Sequence, residues 1–326
     1  MAYQFKIKDI TIKGKVILAP MAGITSFSYR KFFKNFGVGL TFSEMISDCG
    51  LIYNNKKTLD MCYSDGSDAP LAIQLFGGSK ESLLKGLEIL ENSNLRYDIL
   101  DLNLACPVPK VTKNNGGSSW LKDLDTMEDA VSALVKASKK PVTAKIRLGW
   151  EENNVENIAK TLERAGVSFL SIHCRTKKEG YTGEAYYEAL TNMKNIISIP
   201  FGVSGNIFSL EDAIKADKIT HADAILVARG GIGNPLLVKN INNYFDGIDD
   251  IKTPNIEDQT RYLFEYVDLL VKEIGEKRAV SVLKGIAPKF YSHFSFAKNI
   301  RREITGNINS IEDLENIVAT ITKNNV

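Results

Sequence analysis

Paired cysteines are absent from this sequence. Its four cysteines, Cys49, Cys62, Cys106 and Cys174, lie far apart, and none belongs to a Cys-x-x-Cys pair. Zinc sites take several ligands at short spacing, and disulfide frameworks use regularly spaced pairs. The spacing therefore argues against a metal site, an iron–sulfur cluster and a disulfide framework, and it favours a reducing compartment. We expect no bound metal, and we interpret Cys49, Cys62 and Cys174 as small packing residues.

Long apolar runs and a strong charge of one sign are also missing. Residues 1–12 alternate charged with apolar residues, and no later stretch approaches the roughly 20 apolar residues of a membrane span. These features predict a cytoplasmic protein without membrane association. Lys and Arg total 41 and Asp and Glu total 39, so the net charge is +2. Composition therefore indicates no nucleic-acid binder, and any basic surface has to be local.

Short apolar runs recur through the first two-thirds of the chain and alternate with helix-like stretches. Eight runs have strand character: Val16–Ala19, Gly39–Phe42, Leu71–Phe76, Ile99–Leu102, Val142–Ile146, Phe169–Ile172, Ile199–Val203 and Ala224–Ala228. Eight strands that alternate with helices predict a (β/α)8 TIM barrel. An open doubly wound sheet would alternate similarly, but the dinucleotide-binding glycine fingerprint is missing after the first run.

Polar side chains concentrate where the predicted strands end, which is where a barrel builds its active site. Side chains alternate along a strand, so Lys145 and Arg147 are predicted to share one face. His173 and Arg175 share a face in the same way, and Cys174 points away from them. The last two strands are followed by Ser204-Gly205-Asn206 and Ala228-Arg229-Gly230. Loops at these positions are typical of a phosphate site.

The alternation of strands and helices stops near residue 249. Apolar residues then recur at helical spacing over Ile256–Ile274 and Ser310–Ile321. We therefore divide the chain into a barrel over residues 1–245 and a small all-helical domain over residues 246–326. Between Glu276 and Glu303, cations are interleaved with aromatic residues and no acidic residue occurs: Lys277, Arg278, Lys284, Lys289, Phe290, Tyr291, Phe294, Phe296, Lys298, Arg301 and Arg302. This segment is either a candidate for RNA contact or a solvated helix face.

Cys106 lies in a segment whose residues suggest a catalytic role. Asp101–Val111 reads Asp-Leu-Asn-Leu-Ala-Cys-Pro-Val-Pro-Lys-Val, and it breaks at Pro107, where a strand becomes a loop. A cysteine thiol has a reference pKa of about 8.5, so Cys106 is mostly protonated near neutral pH and can donate a proton. From composition alone, a buried packing role is the alternative for Cys106.

With Lys110-Val111 and Gly116-Gly117 behind it, this segment resembles the Asp-x-Asn-x-Gly-Cys-Pro segment of the tRNA-dihydrouridine synthases. These flavin enzymes reduce a uracil ring in tRNA, and the likeness extends from about Leu18 to Pro235. The resemblance implies that Cys106 is the proton donor. The sequence departs from the family pattern at Ala105, where glycine is usual, and at Asn206, where aspartate is usual.

The resemblance also implies a cofactor and its partners. FMN is expected across the barrel mouth, with NADPH or NADH as reductant and tRNA as substrate. We also expect a monomer, although neither the sequence nor the resemblance specifies the oligomeric state. Asn103, Arg147 and Arg175 are expected to contact the substrate, although the two arginines could instead form structural ion pairs. The residues expected to contact FMN are Pro20, Met21, Ala22, Gln74, Lys145, His173, Ser204, Gly205, Asn206, Ala228, Arg229 and Gly230.

Two other functions stay open from the sequence. A dihydroorotate-dehydrogenase-like FMN oxidoreductase would act on a free pyrimidine, but a small substrate needs no basic helical extension. A non-catalytic tRNA-binding protein would keep that extension, but Cys106, Lys145 and His173 at strand ends argue against it. His173 on an apolar strand could also be a core histidine with no role in chemistry.

Overall fold

The computed structural model describes residues 2–323 of the chain. Eight parallel strands form one sheet in the order β3-β10-β9-β8-β7-β6-β5-β4. A parallel bridge between Ile17 and Leu40 joins the two ends of this order, so the sheet closes into a barrel. The eight strands are β3 (Val16–Leu18), β4 (Thr41–Ser47), β5 (Leu71–Phe76), β6 (Ile99–Leu104), β7 (Val142–Arg147), β8 (Leu170–His173), β9 (Phe201–Ser204) and β10 (Ala224–Val227). The predicted (β/α)8 barrel is thereby confirmed.

Two features of the strands differ from the sequence prediction. An antiparallel hairpin of β1 (Gln4–Ile7) and β2 (Ile10–Lys13) precedes the barrel and was not predicted. Its buried side chains Ile7 and Ile12 join the apolar cluster inside the barrel, which explains the alternation of charged and apolar residues at the N-terminus. Strand β4 also continues beyond Phe42, because a register shift between Phe42 and Met45 lets pairing with β5 resume.

Helices connect the strands on the outside of the barrel. Those between the strands and directly after β10 are α1 (Phe27–Lys34), α2 (Asp48–Ile52), α3 (Lys56–Asp60), α4 (Lys80–Glu91), α5 (Pro109–Thr112), α6 (Leu124–Ala137), α7 (Val155–Arg164), α8 (Met193–Ile196), α9 (Leu210–Thr220) and α10 (Pro235–Phe245). Four more helices follow: α11 (Ile256–Ile274), α12 (Glu276–Ile286), α13 (Ala297–Asn307) and α14 (Ile311–Lys323). Within residues 2–323, no helix combines the length and apolarity that a membrane crossing requires.

The alternation of side chains along each strand divides the sheet into two faces. Outward side chains such as Ile73, Leu102 and Ile146 pack beneath the surrounding helices in the larger apolar cluster. Inward side chains near the amino ends, such as Phe169 and Leu226, form a separate apolar plug with the hairpin. Polar side chains take the inward positions farther along the strands, so the barrel interior changes from apolar to polar toward its carboxyl end.

Helix α11 and the segment after α12 lie against α1 of the barrel. Phe32 of α1 packs near Tyr266 and Phe290, with ring centroids 5.7 and 6.3 Å away, and Phe36 meets Tyr262 edge-on at 5.0 Å. These side chains belong to the same apolar cluster as the outward barrel residues. The helical segment is therefore docked through an aromatic interface, and the division at residue 245 stays a prediction that coincides with the end of α10.

A carboxylate from the helical segment supplies the N-cap of α1. Ser26, at the N-cap position, makes no side-chain capping bond. Instead, Glu273 of α11 accepts hydrogen bonds from the N–H groups of Phe27 at 3.2 Å and Ser28 at 2.7 Å. Free N–H groups and the helix dipole make this end of α1 favourable for an anion. Glu273 therefore links the end of α11 to the loop that leaves the first barrel strand.

Replacing Glu273 with alanine should lower the free energy of unfolding by about 1 kcal/mol, the usual cost of losing an N-cap. Urea denaturation followed by circular dichroism measures this change. Asp268→Ala, at an exposed position of the same helix, is the matched control and should stay within about 0.5 kcal/mol of the original protein. Equal losses in the two variants would contradict a capping role for Glu273.

Candidate active site

A cavity of about 380 Å³ opens at the carboxyl end of the barrel. Its volume is within the usual range for a small-molecule or cofactor site. Most residues that the sequence singled out do line it: Pro20, Met21, Ala22, Asn103, Cys106, Lys145, Arg147, His173, Ser204, Gly205, Asn206, Ala228, Arg229 and Gly230. The barrel therefore brings together side chains that are up to two hundred residues apart in sequence.

Gln74 and Arg175 lie behind the cavity wall. Gln74 is fully buried and hydrogen-bonds Asp101 and Asn103, each at 2.7 Å. Arg175 is also buried, and it donates to the carbonyl of Thr182 at 2.9 Å and to Oδ1 of Asn206 at 2.8 Å. In this arrangement both side chains support the cavity wall, and their predicted contacts with FMN and substrate stay predictions.

Cys106 is held by its backbone on both sides. Its N–H donates to Oδ1 of Asn103 at 2.9 Å, and its carbonyl accepts from the N–H of Ser118 at 3.1 Å and the Ser118 hydroxyl at 2.9 Å. Gly117 has a φ of +59°, and a Cβ there would lie 2.7 Å from the Cys106 carbonyl oxygen, so this approach requires glycine. The thiol is thus positioned at the cavity by a tightly packed loop.

The Cys106 thiol is kept protonated by its surroundings. Burial raises its pKa, and a backbone hydrogen bond from Val108 and the nearby charges of Arg147 and Lys145 oppose that rise only in part. A thiol with a raised pKa is a poor nucleophile at neutral pH, but it still carries a proton. This environment favours proton donation over nucleophilic attack.

The basic side chains opposite Cys106 differ in their charge. Burial, with help from neighbouring Arg147, lowers the pKa of the Lys145 ammonium to about 8, so Lys145 stays mostly charged at neutral pH. Burial and the surrounding cations hold the pKa of His173 well below its usual range, so its imidazole is neutral. The cavity therefore offers an anion or a developing negative charge the Lys145 cation. Both nitrogens of the neutral His173 ring face protein groups, since Nη1 of Arg175 and the Ser204 hydroxyl each lie 3.4 Å away.

Two buried arginines fix the loop that follows β8. Arg147 donates to the carbonyls of Ala105 at 2.7 Å, Thr176 at 2.9 Å and Gly180 at 2.7 Å. It thereby ties the segment before Cys106 to the loop after β8. Arg175 holds the same loop farther along, at Thr182. Among the described residues, no carboxylate forms an ion pair with either arginine; backbone carbonyls and, for Arg175, Oδ1 of Asn206 accept their hydrogen bonds.

Tyr181 is a cavity residue that the sequence prediction missed. It is 56% exposed, and the guanidinium groups of Arg147 and Arg229 lie 5.1 and 5.3 Å from its ring centroid. Cation–π contacts of this kind hold an aromatic ring at a solvent boundary. Its sequence signal was a tyrosine between Gly180 and Gly183 in a loop that follows a barrel strand.

The loops after β9 and β10 form a cradle for an anion. Gly205 adopts a φ of +123°, and a Cβ there would approach Ala185 at 2.9 Å. A Cβ at Gly230 would lie 2.0 Å from the carbonyl oxygen of Ile207. In the described part of the chain, no acceptor meets the N–H of buried Gly205 or of Asn206. Free N–H groups beside the exposed Arg229 are suited to a phosphate.

The prediction that the other three cysteines are packing residues is confirmed for two of them and wrong for the third. Cys62 and Cys174 are buried, as predicted for packing residues. Cys49 is exposed, so its interpretation as a packing residue was wrong. Cys49 lies at the start of the short helix α2, where Asp48 and not Cys49 points into the protein.

The aromatic residues of the basic C-terminal segment pack inside the protein. Phe290, Tyr291 and Phe296 are buried, whereas Lys277, Arg278, Lys298 and Arg301 are exposed. A groove of about 930 Å³ lies between α1, α3, α11 and α12, near the active-site cavity. The cations that line this groove are Lys31, Lys56, Lys57, Lys272 and Arg278.

The fold and the cavity define an enzyme of the (β/α)8 barrel class, with a protonated thiol and basic groups where the strands end. Residues 17–325 match the family model described as dihydrouridine synthase. The chain belongs to the dihydrouridine synthase family. The family resemblance of the Asp101–Val111 segment is thereby confirmed.

Two bacterial proteins of similar length that resemble the chain are named tRNA-dihydrouridine synthases. A probable tRNA-dihydrouridine synthase of Rickettsia bellii is 32% identical over 311 residues, which cover 94% of each chain. The tRNA-dihydrouridine synthase B of Pseudomonas aeruginosa is 31% identical over 318 residues, covering 97% of this chain and 94% of the relative. Similarity therefore includes the helical segment as well as the barrel.

Solved structures that resemble the chain share its fold. An old yellow enzyme homologue from Zymomonas mobilis aligns with a TM-score of 0.54 at 13% identity, covering 78% of this chain and 95% of that one. A histamine dehydrogenase from Rhizobium aligns with a TM-score of 0.55 at 13% identity, covering 82% of this chain and 50% of that one. These likenesses support the barrel architecture alone.

The burial of Cys106 predicts an unusual pH dependence of its alkylation. Because its pKa is raised, its thiolate fraction should still be increasing at pH values where an ordinary cysteine, with a pKa of about 8.5, has levelled off. Iodoacetamide labelling from about pH 7 to about pH 10, with mass spectrometry of the Cys106 peptide, measures this rate. Glutathione is the reference, and a Cys106 rate that levels off at a lower pH than glutathione would contradict the prediction.

Proposed function

We propose that the protein reduces uridines in tRNA to 5,6-dihydrouridine, with FMN as cofactor, NADPH or NADH as reductant and Cys106 as proton donor. The observation that carries this proposal is the Cys106 thiol, protonated and fixed at the cavity opposite Lys145 and His173. The family membership and the names of the relatives support the same reaction.

The residues at the barrel mouth fit FMN. The unpaired N–H groups of Gly205 and Asn206, with Arg229 at the rim, would hold its phosphate. Pro20, Met21 and Ala22 give one side of the cavity an apolar surface, which suits a flat ring system. Lys145 would stabilise negative charge on the cofactor when it is reduced.

The chemistry divides between cofactor and protein. When bound, FMN supplies a hydride for C6 of uracil, and the reductant replenishes that hydride. Cys106 gives its proton to C5, where negative charge develops, and its thiolate then takes a proton from solvent. Asn103 has one amide hydrogen beyond its bond to Gln74, so it can also donate to a uracil carbonyl.

Substrate access requires an unstacked uridine, because the reactive groups lie inside the cavity. The groove between α1 and α11 approaches the same region, since Gly23 and Ile24 border the groove and Ile24 also borders the cavity. Its five cations and the exposed cations of α12 and α13 would contact RNA phosphates. Residues 246–326 would accordingly act as the tRNA-binding domain. Because Phe290, Tyr291 and Phe296 are buried and the partly buried Phe294 packs against the core, the contact would be mainly electrostatic.

The phosphate contact of Arg229 gives a specific prediction. Arg229→Ala should weaken FMN binding by about tenfold or more, because a charge-assisted hydrogen bond contributes roughly 1.5–3 kcal/mol and about 1.4 kcal/mol corresponds to tenfold. Riboflavin lacks the phosphate, so its affinity should change less than about twofold. Flavin fluorescence titration measures both dissociation constants. Arg164→Ala, at an exposed ion pair with Glu128, is the control. Equal weakening of FMN and riboflavin would place Arg229 away from the phosphate.

The proton-donor role gives a second prediction. Cys106→Ala should keep bound flavin and tRNA affinity but lower dihydrouridine formation by about a hundredfold or more, the usual contribution of a positioned acid. Incubation of unmodified tRNA with protein, FMN and NADPH, followed by nucleoside mass spectrometry, detects the two added hydrogen atoms. Cys49→Ala replaces the exposed cysteine and should leave the rate near that of the original protein.

The same assay separates the alternative functions. Turnover of free orotate or dihydroorotate without any modification of tRNA would favour a dihydroorotate-dehydrogenase-like enzyme. A protein that takes up no FMN and binds tRNA with steep salt dependence would favour a non-catalytic RNA-binding protein. Near-normal activity of Cys106→Ala would remove Cys106 as the essential acid.

A further inference from the structure

A buried chain of hydrogen bonds leads from the interior of the barrel to Cys106. The hydroxyl of Thr143 donates to Oδ1 of Asp101 at 2.6 Å, and Nε2 of Gln74 donates to Oδ2 of Asp101 at 2.7 Å. Oε1 of Gln74 then accepts from Nδ2 of Asn103 at 2.7 Å. Oδ1 of Asn103 accepts from the N–H groups of Ala105 at 3.2 Å and Cys106 at 2.9 Å.

The sheet register brings these side chains together. Gln74 is paired with Asp101 and Asp101 with Thr143 across three adjacent parallel strands, so the three side chains lie at one level of the barrel interior. Asn103 lies two residues farther along β6, on the same face and one level nearer the cavity. Thr143, Asp101 and Gln74 are fully buried and only Asn103 borders the cavity, so solvent cannot replace the bonds among the first three.

Only one orientation of the two amide groups satisfies every hydrogen bond in this buried chain. Backbone N–H groups are donors only, so Asn103 must turn its oxygen toward Ala105 and Cys106. Its amide nitrogen then faces Gln74, which must present its own oxygen. The nitrogen of Gln74 consequently faces position 101, where only an acceptor satisfies it. An ionised carboxylate accepts at both oxygens, so Asp101 fixes the orientation of the two amides from the other end.

The surroundings of Asp101 are compatible with this role. Burial raises the pKa of its carboxyl to about 6, whereas the hydrogen bonds from Gln74 and Thr143 and the charge of Lys145 oppose that rise. The carboxylate therefore predominates at neutral pH. Within residues 2–323, Asp101 does not border the cavity and forms no ion pair, so its hydrogen bonds to Gln74 and Thr143 are the contacts through which it acts.

We propose that Asp101 is a positioning residue for proton transfer, which acts through the amides of Gln74 and Asn103 to hold the Cys106 peptide in place. The proposal rests on the proposed function for the proton transfer itself. Without an acceptor at position 101, either the amide of Gln74 stays unsatisfied or both amides reverse. Reversal would turn the Asn103 nitrogen toward two backbone N–H groups and release Cys106.

Asp101→Leu and Asp101→Asn test the proposal as a pair. Leucine offers no acceptor, whereas asparagine can direct its oxygen to Gln74 and its nitrogen to the Thr143 hydroxyl, which can accept. In flavin-free protein, the rate of iodoacetamide alkylation of Cys106 relative to Cys49 should increase at least threefold in Asp101→Leu. In Asp101→Asn the same ratio should stay within twofold of the original protein.

The kinetic readout uses saturating FMN and tRNA. The kcat should fall at least tenfold in the leucine variant, with KM for tRNA within twofold, and kcat should recover in the asparagine variant.

Two further variants guard against a general loss of stability. Thr41→Val removes another buried hydroxyl on the barrel wall, one that donates to the carbonyl of Asp68, and it should leave the alkylation ratio unchanged. If Asp101→Leu does not fold, Gln74→Met breaks the chain at its middle and should raise the ratio as well.

Three results would each overturn the proposal. An unchanged alkylation ratio and kcat in Asp101→Leu would overturn the proposal, as would an asparagine variant as impaired as the leucine variant. A similar rise in Thr41→Val would overturn it too. Because alkylation needs neither flavin nor tRNA, it still tests the role of Asp101 if the original protein forms no dihydrouridine.

Discussion

The register of the parallel strands is the constraint on which the cavity depends. Strand pairing places Asn103 beside Lys145. Two residues farther toward the carboxyl ends of the strands, it places Arg147, His173 and Ser204 side by side on three adjacent strands. A shift of one residue in any strand would turn its polar side chains outward under the helices and its apolar ones into the cavity. Barrel closure between Ile17 and Leu40 leaves no free edge along which such a shift could occur.

Positive charge inside the barrel follows from the same arrangement. Lys145 and Arg147 belong to β7, and Arg175 lies two residues beyond the end of the adjacent strand β8. Asp101, on β6 beside β7, is a buried carboxylate whose charge acts on Lys145. Burial of cations is costly unless their donors are satisfied. Here the loop after β8 supplies carbonyl acceptors to both arginines, Ala105 adds a carbonyl for Arg147, and Asn206 adds its Oδ1 for Arg175. Burial, together with this excess charge, keeps the pKa of His173 low and its ring neutral, and the charge favours an anion in the cavity.

Contact between the barrel and the C-terminal helices combines a specific polar link with a broad apolar one. Glu273 caps α1, and the aromatic rings of α1 pack on α11 and the segment after α12. Helix α1 directly follows the loop of Pro20, Met21 and Ala22, so the helical segment abuts the wall of the active site. Ile24 borders both the groove and the cavity, so the two openings adjoin each other.

Sequence alone determined the order of strands and helices, because short apolar runs and the turns between them are local properties of the chain. It also indicated Cys106 and the cavity-lining residues, since a barrel concentrates functional groups at the ends of its strands. The N-terminal hairpin escaped prediction because its two strands are only four residues long and become recognisable through Ile7 and Ile12, which pack beneath a barrel formed later in the chain.

Tertiary structure decided the remaining features, which depend on contacts between distant residues. In the sequence, Gln74 and Arg175 lie near the carboxyl ends of predicted strands, as Lys145 and His173 do. Their position behind the cavity wall, however, depends on hydrogen-bond partners on other strands and loops. The burial of Phe290 and Tyr291 and the exposure of Cys49 and Tyr181 were equally invisible to local pattern. A one-dimensional pattern specifies which face of an element is apolar, but only the packed chain specifies what covers that face.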